Sequence, residues 1–411
     1  MRPTRALALI AAAIALAACE KKQAPQPPAA AAAPAVGPAA GAPIVIGHVG
    51  SLTGDDATFG LSTEKGISLA IEDANARGGV KGHLLKLVSY DDKGKSEEAA
   101  VVTTRLAVDD KASIILGEVA SSRSLAMASK ADDFGVPMIT PASTNPAVTR
   151  DGQKVRPYVF RVCFLDTFQG LVMAKFARET LKLSRVAILR DVGSAYSVGL
   201  ADEFLARFRA LGGTVVDDQS FKAGDQDFKA QLTAIRGKKP DGVFVPGYYT
   251  QVALIVRQAR ELGLRQPFMG GDGWDSEKLF EIGGRALDGN YYSNHYTPED
   301  PKPAVQTFVR RFKEKYGSVP DTMAALGFDA ANVAVDAMAR AGDLSGSALR
   351  DAIAATKDYP GVTGGISIDA GHDAVKAAVV LKIEGGAPRL AATFAPEAAV
   401  AVPPSPASPA K

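Results

Sequence analysis

Two clusters of small polar side chains each follow a short apolar run, at residues 114–116 and 136–139. The first cluster is Ser121, Ser122 and Ser124, and the second is Ser143, Thr144 and Asn145. Apolar runs of this length are typical of buried strands in a parallel sheet. Ser, Thr and Asn after a strand cap the next helix, whose unpaired N–H groups attract a carboxylate or phosphate. Helix capping alone explains one such cluster, but two clusters on successive strands favour a site for a small anion.

A second set of chemically capable residues follows apolar runs elsewhere in the chain. It consists of Phe59, Tyr196, Tyr248, Asp272 and Trp274. A carboxylate flanked by aromatic rings suits an ammonium group. Phe59 would lie on the same lobe as the hydroxyl clusters, and the other four residues, on the second lobe, would complete a site for a zwitterion. The alternatives stay open: Asp272 could cap a helix or belong to a turn, the tyrosines could be core residues, and Trp274 could line a cleft or pack inside a lobe.

The elements that position these residues form an α/β pattern that occurs twice, from residue 44 and again from residue 185. In each copy a strand and a helix precede a glycine pair, Gly78-Gly79 and then Gly212-Gly213, which is expected at a helix end. Strands alternating with helices predict parallel sheets whose ligands lie beyond the carboxyl ends of the strands. We therefore expect two Rossmann-like lobes with parallel sheets, which face each other across a cleft.

The remaining elements do not begin a third copy, so we expect them to return to the two lobes through three hinge crossings. Candidate crossings are residues 160–164, 291–294 and 364–367. The predicted strands at 365–369 and 377–383 would pair with each other. The N-terminal lobe would comprise residues 44–162 plus 294–364, and the C-terminal lobe residues 163–293 plus 365–396.

The two ends of the chain have a different character. Arg2 and Arg5 precede an apolar stretch and the sequence Leu-Ala-Ala-Cys ending at Cys19, so residues 1–19 resemble a lipoprotein signal peptide whose cysteine is lipidated. An ordinary signal peptide with an incidental cysteine is the alternative. Residues 20–43 are rich in Ala and Pro and predict an extended tether, and residues 397–411 predict a disordered tail. Cys163 is then left without a disulfide partner, and we expect a buried, inert thiol.

Several function classes find no support. The 47 basic and 45 acidic residues nearly balance, which gives no basic stripe for nucleic acid. The chain has no G-x-S-x-G nucleophile motif and no dinucleotide fingerprint, and its four histidines lack zinc-binding spacing. Residues 94–96 imitate the end of a phosphate-binding loop, but Ser89 stands where the loop requires glycine. We expect no cofactor, no metal and no enzymatic activity.

Seven segments together resemble the leucine/isoleucine/valine-type periplasmic binding proteins, the amino-acid receptors of ABC importers. They are GSLTG (50–54), NARGGVKG (75–82), YDDK (90–93), ITPASTNP (139–146), PGYY (246–249), QARELG (258–263) and GGDGWDS (270–276). The similarity covers about residues 44–394. It implies a type I two-lobe fold that closes around a ligand between the lobes.

The resemblance also implies roles for individual residues. Ser121 and Thr144 would hold a ligand carboxylate with help from the backbone of Val119 and Ala142, Tyr248 and Asp272 would take the ammonium, and Phe59 and Tyr196 would line the pocket. The chain departs from the family pattern in having Asp272 in place of glutamate, the bulky Trp274 after it, Ala120 in place of a cysteine, and Ala324 near a family aromatic.

We therefore expect a monomeric, lipid-anchored protein outside the cytoplasm, either in the periplasm or on the cell surface. It would capture an amino acid, branched-chain or another small aliphatic one, and deliver it to an ABC permease and its ATPase. The alternative is a receptor of the same fold that senses an amide, urea or a short amine. An enzyme that has adopted the cleft is disfavoured because no nucleophile and base are set out for it.

Overall fold

The computed structural model of the protein describes residues 41–396. The predicted signal peptide with Cys19, nearly all of the predicted tether and the predicted C-terminal tail lie outside the described residues. Within residues 41–396, no helix has both the length and the apolar character needed to cross a membrane.

The first sheet has five parallel strands in the order β2-β1-β3-β4-β7. Its strands are β1 (Ile44–Gly50), β2 (Leu85–Asp91), β3 (Ile114–Gly117), β4 (Met138–Thr140) and β7 (Val159–Arg161), with a small hairpin of β5 (Arg150–Asp151) and β6 (Lys154–Val155) before the last. The connecting helices are α1 (Ala57–Ala76), α2 (Ser96–Val108) and α3 (Ser121–Phe134). Gly78 and Gly79 follow α1 with φ of 98° and 75°, the left-handed backbone that glycine adopts without strain.

The second sheet has seven strands in the order β16-β15-β12-β11-β10-β8-β9. Its strands are β8 (Arg185–Asp191), β9 (Thr214–Phe221), β10 (Gly242–Phe244), β11 (Phe268–Gly270), β12 (Tyr291–Asn294), β15 (Ala378–Glu384) and β16 (Ala387–Phe394), the last two antiparallel to their neighbours. Its helices are α4 (Asp166–Lys175), which ends in a π-helical turn at Phe176–Thr180, α5 (Ala195–Ala210), α6 (Lys229–Gly237), α7 (Tyr249–Glu261) and α8 (Glu277–Gly283).

The remaining elements pack on the first sheet's helices. They are α9 (Pro303–Tyr316), α10 (Thr322–Arg340), α11 (Gly346–Ala354) and the paired strands β13 (Tyr359–Gly361) and β14 (Gly364–Ile366). A cluster of buried side chains joins α9 and α10 to Leu69 of α1. We call β1–β7, α1–α3, α9–α11, β13 and β14 the first lobe, and the other elements the second lobe. The chain crosses between them after β7, after β12 and after β14.

This architecture confirms the predicted α/β class, the parallel sheets and the three crossings. Two local predictions were wrong. Residues 364–366 pair with β13 rather than with residues 378–384, which instead lie between β12 and β16. The second polar cluster leads only into a three-residue 3₁₀ turn, Pro146–Val148, so a regular helix begins at the first cluster alone.

The contact between α1 and α10 depends on two glycines that let the helix backbones approach closely. A Cβ atom on Gly66 would lie 2.0 Å from the carbonyl oxygen of Ala324, and one on Gly327 would lie 2.6 Å from that of Thr63. Neither position can accept a side chain unless the helices move apart.

We predict that Gly66→Ala lowers the free energy of unfolding by about 1–3 kcal/mol, although alanine favours helix, because the added methyl meets backbone. Gly237→Ala in α6 is the matched control, since no heavy atom lies within 4 Å of its Cβ position. Urea denaturation of both variants measures the difference. Equal stability of the two proteins would contradict the assigned role of Gly66.

Candidate ligand-binding cleft

The acidic centre of the cleft is Asp272, which lies two residues beyond the end of β11 and is 2% exposed. Its Oδ1 accepts hydrogen bonds from the Tyr196 hydroxyl at 3.0 Å and from Gln169 Nε2 at 2.9 Å. Its Oδ2 lies 3.0 Å from Nε2 of His295, the first residue after β12. Three elements of the second lobe and one crossing therefore converge on a single carboxylate.

The groups around Asp272 are kept neutral by burial. Burial lowers the pKa of His295 below its ordinary value, although the hydrogen bond with Asp272 opposes this shift. Burial and the Asp272 charge raise the pKa of Tyr196 well above its ordinary value. At neutral pH both side chains therefore donate to the carboxylate as uncharged groups, which do not compensate its charge as a cation would.

The first lobe offers hydroxyl groups across the cleft. Ser121 is the first residue of α3, and its Oγ accepts from the backbone N–H of Asn145 at 3.3 Å. The hydroxyl of Thr144 is fully buried beside the carboxyl of Asp166, and it makes no hydrogen bond of normal geometry in the described part of the chain. Val119 and Ala142 are buried, each two residues beyond the end of its strand, β3 and β4. Thr144 thus has an unmet hydroxyl in the segment that the sequence singled out.

Ser143 is placed differently from Thr144. Its hydroxyl lies 2.7 Å from Ser124 Oγ and donates to the carbonyl of Glu118 at 3.1 Å. Both contacts lie within the first lobe, so the Ser143 hydroxyl is already hydrogen-bonded there. We therefore leave Ser143 out of the candidate ligand contacts, since its predicted part in the site required a side chain turned toward the cleft.

Aromatic side chains from both lobes meet beside Asp272. The ring of Phe59, from α1, meets Tyr248 edge-on with centroids 5.6 Å apart, and meets Tyr249 at 4.8 Å. Tyr248 in turn stacks on Tyr196 at 5.4 Å with nearly parallel planes. The structure thus brings together Phe59 and Tyr196, which were predicted to line the pocket, and Tyr248, which was predicted to take the ammonium.

Trp274 does not belong to this group, which corrects its predicted place among the ligand contacts. Its indole is fully buried in the second lobe, donates from Nε1 to the carbonyl of Val245 at 3.0 Å, and stacks against Tyr292. The ring packs so tightly over Gly270 that a Cβ there would overlap it. The bulky side chain of Trp274, two residues after Asp272 in the sequence, therefore packs in the core of the second lobe.

Sequence reasoning missed three residues of the cleft, namely Asp166, Gln169 and His295. Both carboxylate oxygens of Asp166 and Oε1 of Gln169 are buried without a partner among residues 41–396. Burial raises the pKa of Asp166 well above its ordinary value, the neighbouring Thr144 hydroxyl opposes this shift, and the Asp272 charge adds to it. Asp166 and Gln169 are three residues apart on α4 and therefore share one face of the helix, and His295 follows a predicted crossing. Polar residues at helical spacing beside a crossing were the feature of the sequence that could have identified them.

Direct hydrogen bonds between the lobes surround the site. Asn145 Nδ2 donates to the carbonyl of Ala195 at 2.8 Å, and the Ala195 N–H donates to Ser122 Oγ at 2.9 Å. On the other side of the cleft, Thr58 Oγ1 lies 2.8 Å from Ser276 Oγ. The structure is therefore a closed one, in which protein contacts alone already join the lobes.

An outer cavity of about 440 Å³ lies between the lobes next to these contacts. Arg123 and Asp56 line it from the first lobe, and Asp191 and Ser194 from the second. Arg123 binds Asp56 and Glu118, each at 3.0 Å, so the buried guanidinium is already paired. No group of residues within 41–396 has the composition and geometry to hold a metal ion.

Comparison with known proteins agrees with this architecture. The family model for periplasmic binding proteins matches residues 43–387. The chain belongs to the periplasmic binding protein family. This membership confirms the resemblance seen in the sequence, makes the chain a solute-binding protein rather than an enzyme, and indicates a periplasmic location.

Individual relatives of this periplasmic binding protein bind amino acids. An amino acid binding protein of Pseudomonas aeruginosa is 37% identical over 59% of this chain, and the match spans 64% of that relative's length. A leucine-binding protein of Thermotoga maritima has a TM-score of 0.82 and 40% identity, covering 86% of this chain and 99% of its own. A branched-chain amino acid transporter substrate-binding protein of Streptococcus pneumoniae, solved with isoleucine, has a TM-score of 0.80 and 33% identity with the same coverage.

We predict that His295 makes this binding protein less stable in acid. The pKa of His295 is lowered in the folded state, so as the pH falls below about 6.5 the unfolded chain binds a proton more readily than the folded chain. The free energy of unfolding therefore falls as the pH falls. His295→Gln should remove up to about 1.4 kcal/mol per pH unit of that dependence. Urea unfolding at pH 7.5 and 5.5 measures it, with His83→Gln, in the loop before β2, as the control. Identical pH dependence in both variants would refute the assignment.

We also predict that the bonds between the lobes contribute to ligand affinity. Ser122→Ala removes the acceptor for the Ala195 N–H and should weaken binding by about 2- to 10-fold, because closure loses one hydrogen bond. Ser129→Ala, on an exposed position of the same helix, is the matched control. Calorimetric titration compares the two, and equal affinities would show that this contact does not assist closure.

Proposed function

We propose that the protein captures an amino acid, branched-chain or another small aliphatic one, in the cleft and delivers it to an ABC importer. The proposal is supported by the chemistry that each lobe offers: the first lobe has hydroxyl groups at Ser121 and Thr144, and the second lobe has a buried carboxylate at Asp272. In an α-amino acid zwitterion, the ammonium and carboxylate groups are attached to the same carbon atom, so the two opposite charges lie close together. It would therefore contact both lobes at once.

The carboxylate of the ligand would receive the hydroxyls of Ser121 and Thr144. The Thr144 hydroxyl makes no hydrogen bond of normal geometry within residues 41–396, and a ligand oxygen would accept one from it. Backbone N–H groups at Val119 and Ala142, just beyond two strand ends, would assist. The start of α3 at Ser121 adds the partial positive charge of a helix N-terminus.

The ammonium of the ligand would approach Oδ2 of Asp272. Oδ1 accepts from two protein donors, whereas Oδ2 has His295 as its neighbour and each carboxylate oxygen can accept two hydrogen bonds. The unpaired Oε1 of Gln169 would be a second acceptor. Tyr248 would face the cation with its ring, while Phe59 and Tyr196 complete the aromatic wall.

Domain closure would make this site a receptor. A ligand that touches both lobes stabilises the closed state by its differential affinity for that state, and no bond of the ligand needs to change. Two contacts between the lobes, Asn145 with Ala195 and Thr58 with Ser276, would also stabilise the closed state. The ligand would then need to contribute less of the free energy of closure. An importer could then recognise the closed, loaded form.

The same proposal covers partners and anchoring. The closed protein would dock on a permease whose ATPase drives uptake, and it would act as a monomer. Lipid on Cys19 would hold it to a bacterial membrane by the tether of residues 20–43, at the periplasmic face or on the cell surface. The lipobox-like sequence before Cys19 supports the anchor.

We predict that a thermal-shift screen of amino acids, amides, urea and short amines will raise the melting temperature with small aliphatic amino acids. A ligand that binds only the native state stabilises it by about 2.7 kcal/mol at a concentration of one hundred times Kd. Calorimetry on each hit gives stoichiometry and affinity. Stabilisation only by compounds without a carboxylate would exclude the proposed zwitterion and favour a sensor of amides or amines.

We further predict that Asp272→Asn weakens amino acid binding by about 2–4 kcal/mol, because the ammonium is then buried without a counter-charge. Asp202→Asn, an exposed carboxylate of the same lobe, is the control. The two variants are compared by calorimetry against the best ligand of the screen. Full affinity in the Asp272 variant would reverse or abolish the assigned polarity of the cleft.

A further inference from the structure

The three successive carbonyl groups of Ser143, Thr144 and Asn145 are all held from the first crossing. Ser143 O accepts from Nη1 of Arg161 and from the Cys163 thiol at 3.3 Å. Asn145 O accepts from Nη2 of Arg161 at 2.9 Å. Thr144 O, between them, accepts from the backbone N–H at residue 166, the start of α4, at 2.9 Å.

Arg161 is itself held in place by the third crossing. The guanidinium is fully buried, and its Nε donates to Oδ1 of Asp373 at 2.6 Å. Thr149 joins the same network, because its hydroxyl accepts from Nη2 of Arg161 at 3.0 Å and donates to the same Asp373 oxygen at 2.8 Å. Asp373 lies between β14 and β15, so this ion pair joins two of the three crossings.

The guanidinium is suited to this task in a way that other cations are not. Its donors lie in one plane in a fixed fork, so one side chain can bind two carbonyls and a carboxylate at once. Because the group is buried, each of these contacts also satisfies a charge or carbonyl that water cannot reach. A lysine could keep the ion pair with Asp373 but could not hold both Ser143 O and Asn145 O in the same geometry.

We infer that Arg161, oriented by Asp373, is a positioning residue for the anion-binding half of the ligand site. It binds the carbonyls of Ser143 and Asn145, the two neighbours of Thr144 in the chain, and thereby sets the position of the buried Thr144 hydroxyl beside the Asp166 carboxyl. The inference rests on the proposed function, since it assumes that Thr144 meets a ligand carboxylate.

This arrangement couples hinge bending to the ligand site. Arg161 is the last residue of β7, and Asp373 belongs to the segment that carries the chain back to the second lobe. A change in the relative direction of these crossings would move the guanidinium and, with it, the segment around Thr144. The anion-binding geometry is then complete in the closed arrangement of the crossings that the structure contains.

A double-mutant cycle between Arg161→Lys and Thr144→Val tests the inference, with leucine, isoleucine and valine as calorimetric probes. Arg161→Lys alone should weaken binding by about 10- to 100-fold, because the hydroxyl that meets the carboxylate is displaced. In the Thr144→Val background the same change should cost less than about threefold, since the group it positions is gone. Thermal melts establish that each variant is folded at the assay temperature.

Arg190→Lys is the matched control, because Arg190 also pairs with carboxylates, Asp202 and Asp218, but lies in the second lobe. This substitution should leave the affinity for the amino acid unchanged. If Arg161→Lys does not fold, Asp373→Asn replaces it in the cycle, since it loosens the guanidinium while keeping its contacts to the carbonyls. A smaller but still non-additive loss is then expected.

The possible outcomes separate this inference from the proposed function. Unchanged affinity in Arg161→Lys, or an equal loss in both backgrounds, would overturn the positioning role while the wild type still binds. A wild-type protein that binds none of the three amino acids would overturn the branched-chain ligand assignment and this inference together. A loss confined to the chain that retains Thr144 would establish the coupling.

Discussion

The structure depends on one geometrical constraint, namely that parallel strands joined by right-handed crossovers end at a common edge of their sheet. Both lobes obey it, and they face each other along those edges. Residues that are far apart in the chain, such as Ser121, Tyr196 and Asp272, are therefore brought to the same cleft. The two lobes need only present opposite chemistry along these edges for a small polar molecule to bridge them.

Burial then determines how each polar group of the cleft behaves. Asp272 is surrounded by donors that burial keeps neutral, so its charge remains to be balanced by something other than Tyr196 or His295. Arg161 and Arg123 do not serve this purpose, because each is already paired with carboxylates of its own. A buried carboxylate without a cation is costly, and a ligand ammonium would remove that cost. The proposed ligand would bring its positive charge to this side of the cleft.

The crossings are more than flexible connections, because they are built from buried polar networks. Arg161 and Asp373 link the first crossing to the third, and Lys376 donates from the third crossing to the carbonyl of Val162 in the first at 3.4 Å. Burial lowers the pKa of Lys376 to about 8, partly opposed by Asp329. These buried contacts tie the first crossing to the third.

Local periodicity and turn chemistry are enough to predict the α/β class, the two lobes with parallel strands, and the placement of five site residues after strand ends, namely Ser121, Thr144, Tyr196, Tyr248 and Asp272. Other features follow only from the tertiary structure. Trp274 packs in the core of the second lobe, and the Ser143 hydroxyl is hydrogen-bonded within the first lobe. Gln169 and His295 both contact Asp272. These contacts join residues up to about a hundred positions apart, and no local pattern specifies which of several polar side chains will meet across a hinge. The buried Arg161 shows the same limit, since its arginine is evident in the sequence, but its partner Asp373 lies 212 residues further along the chain.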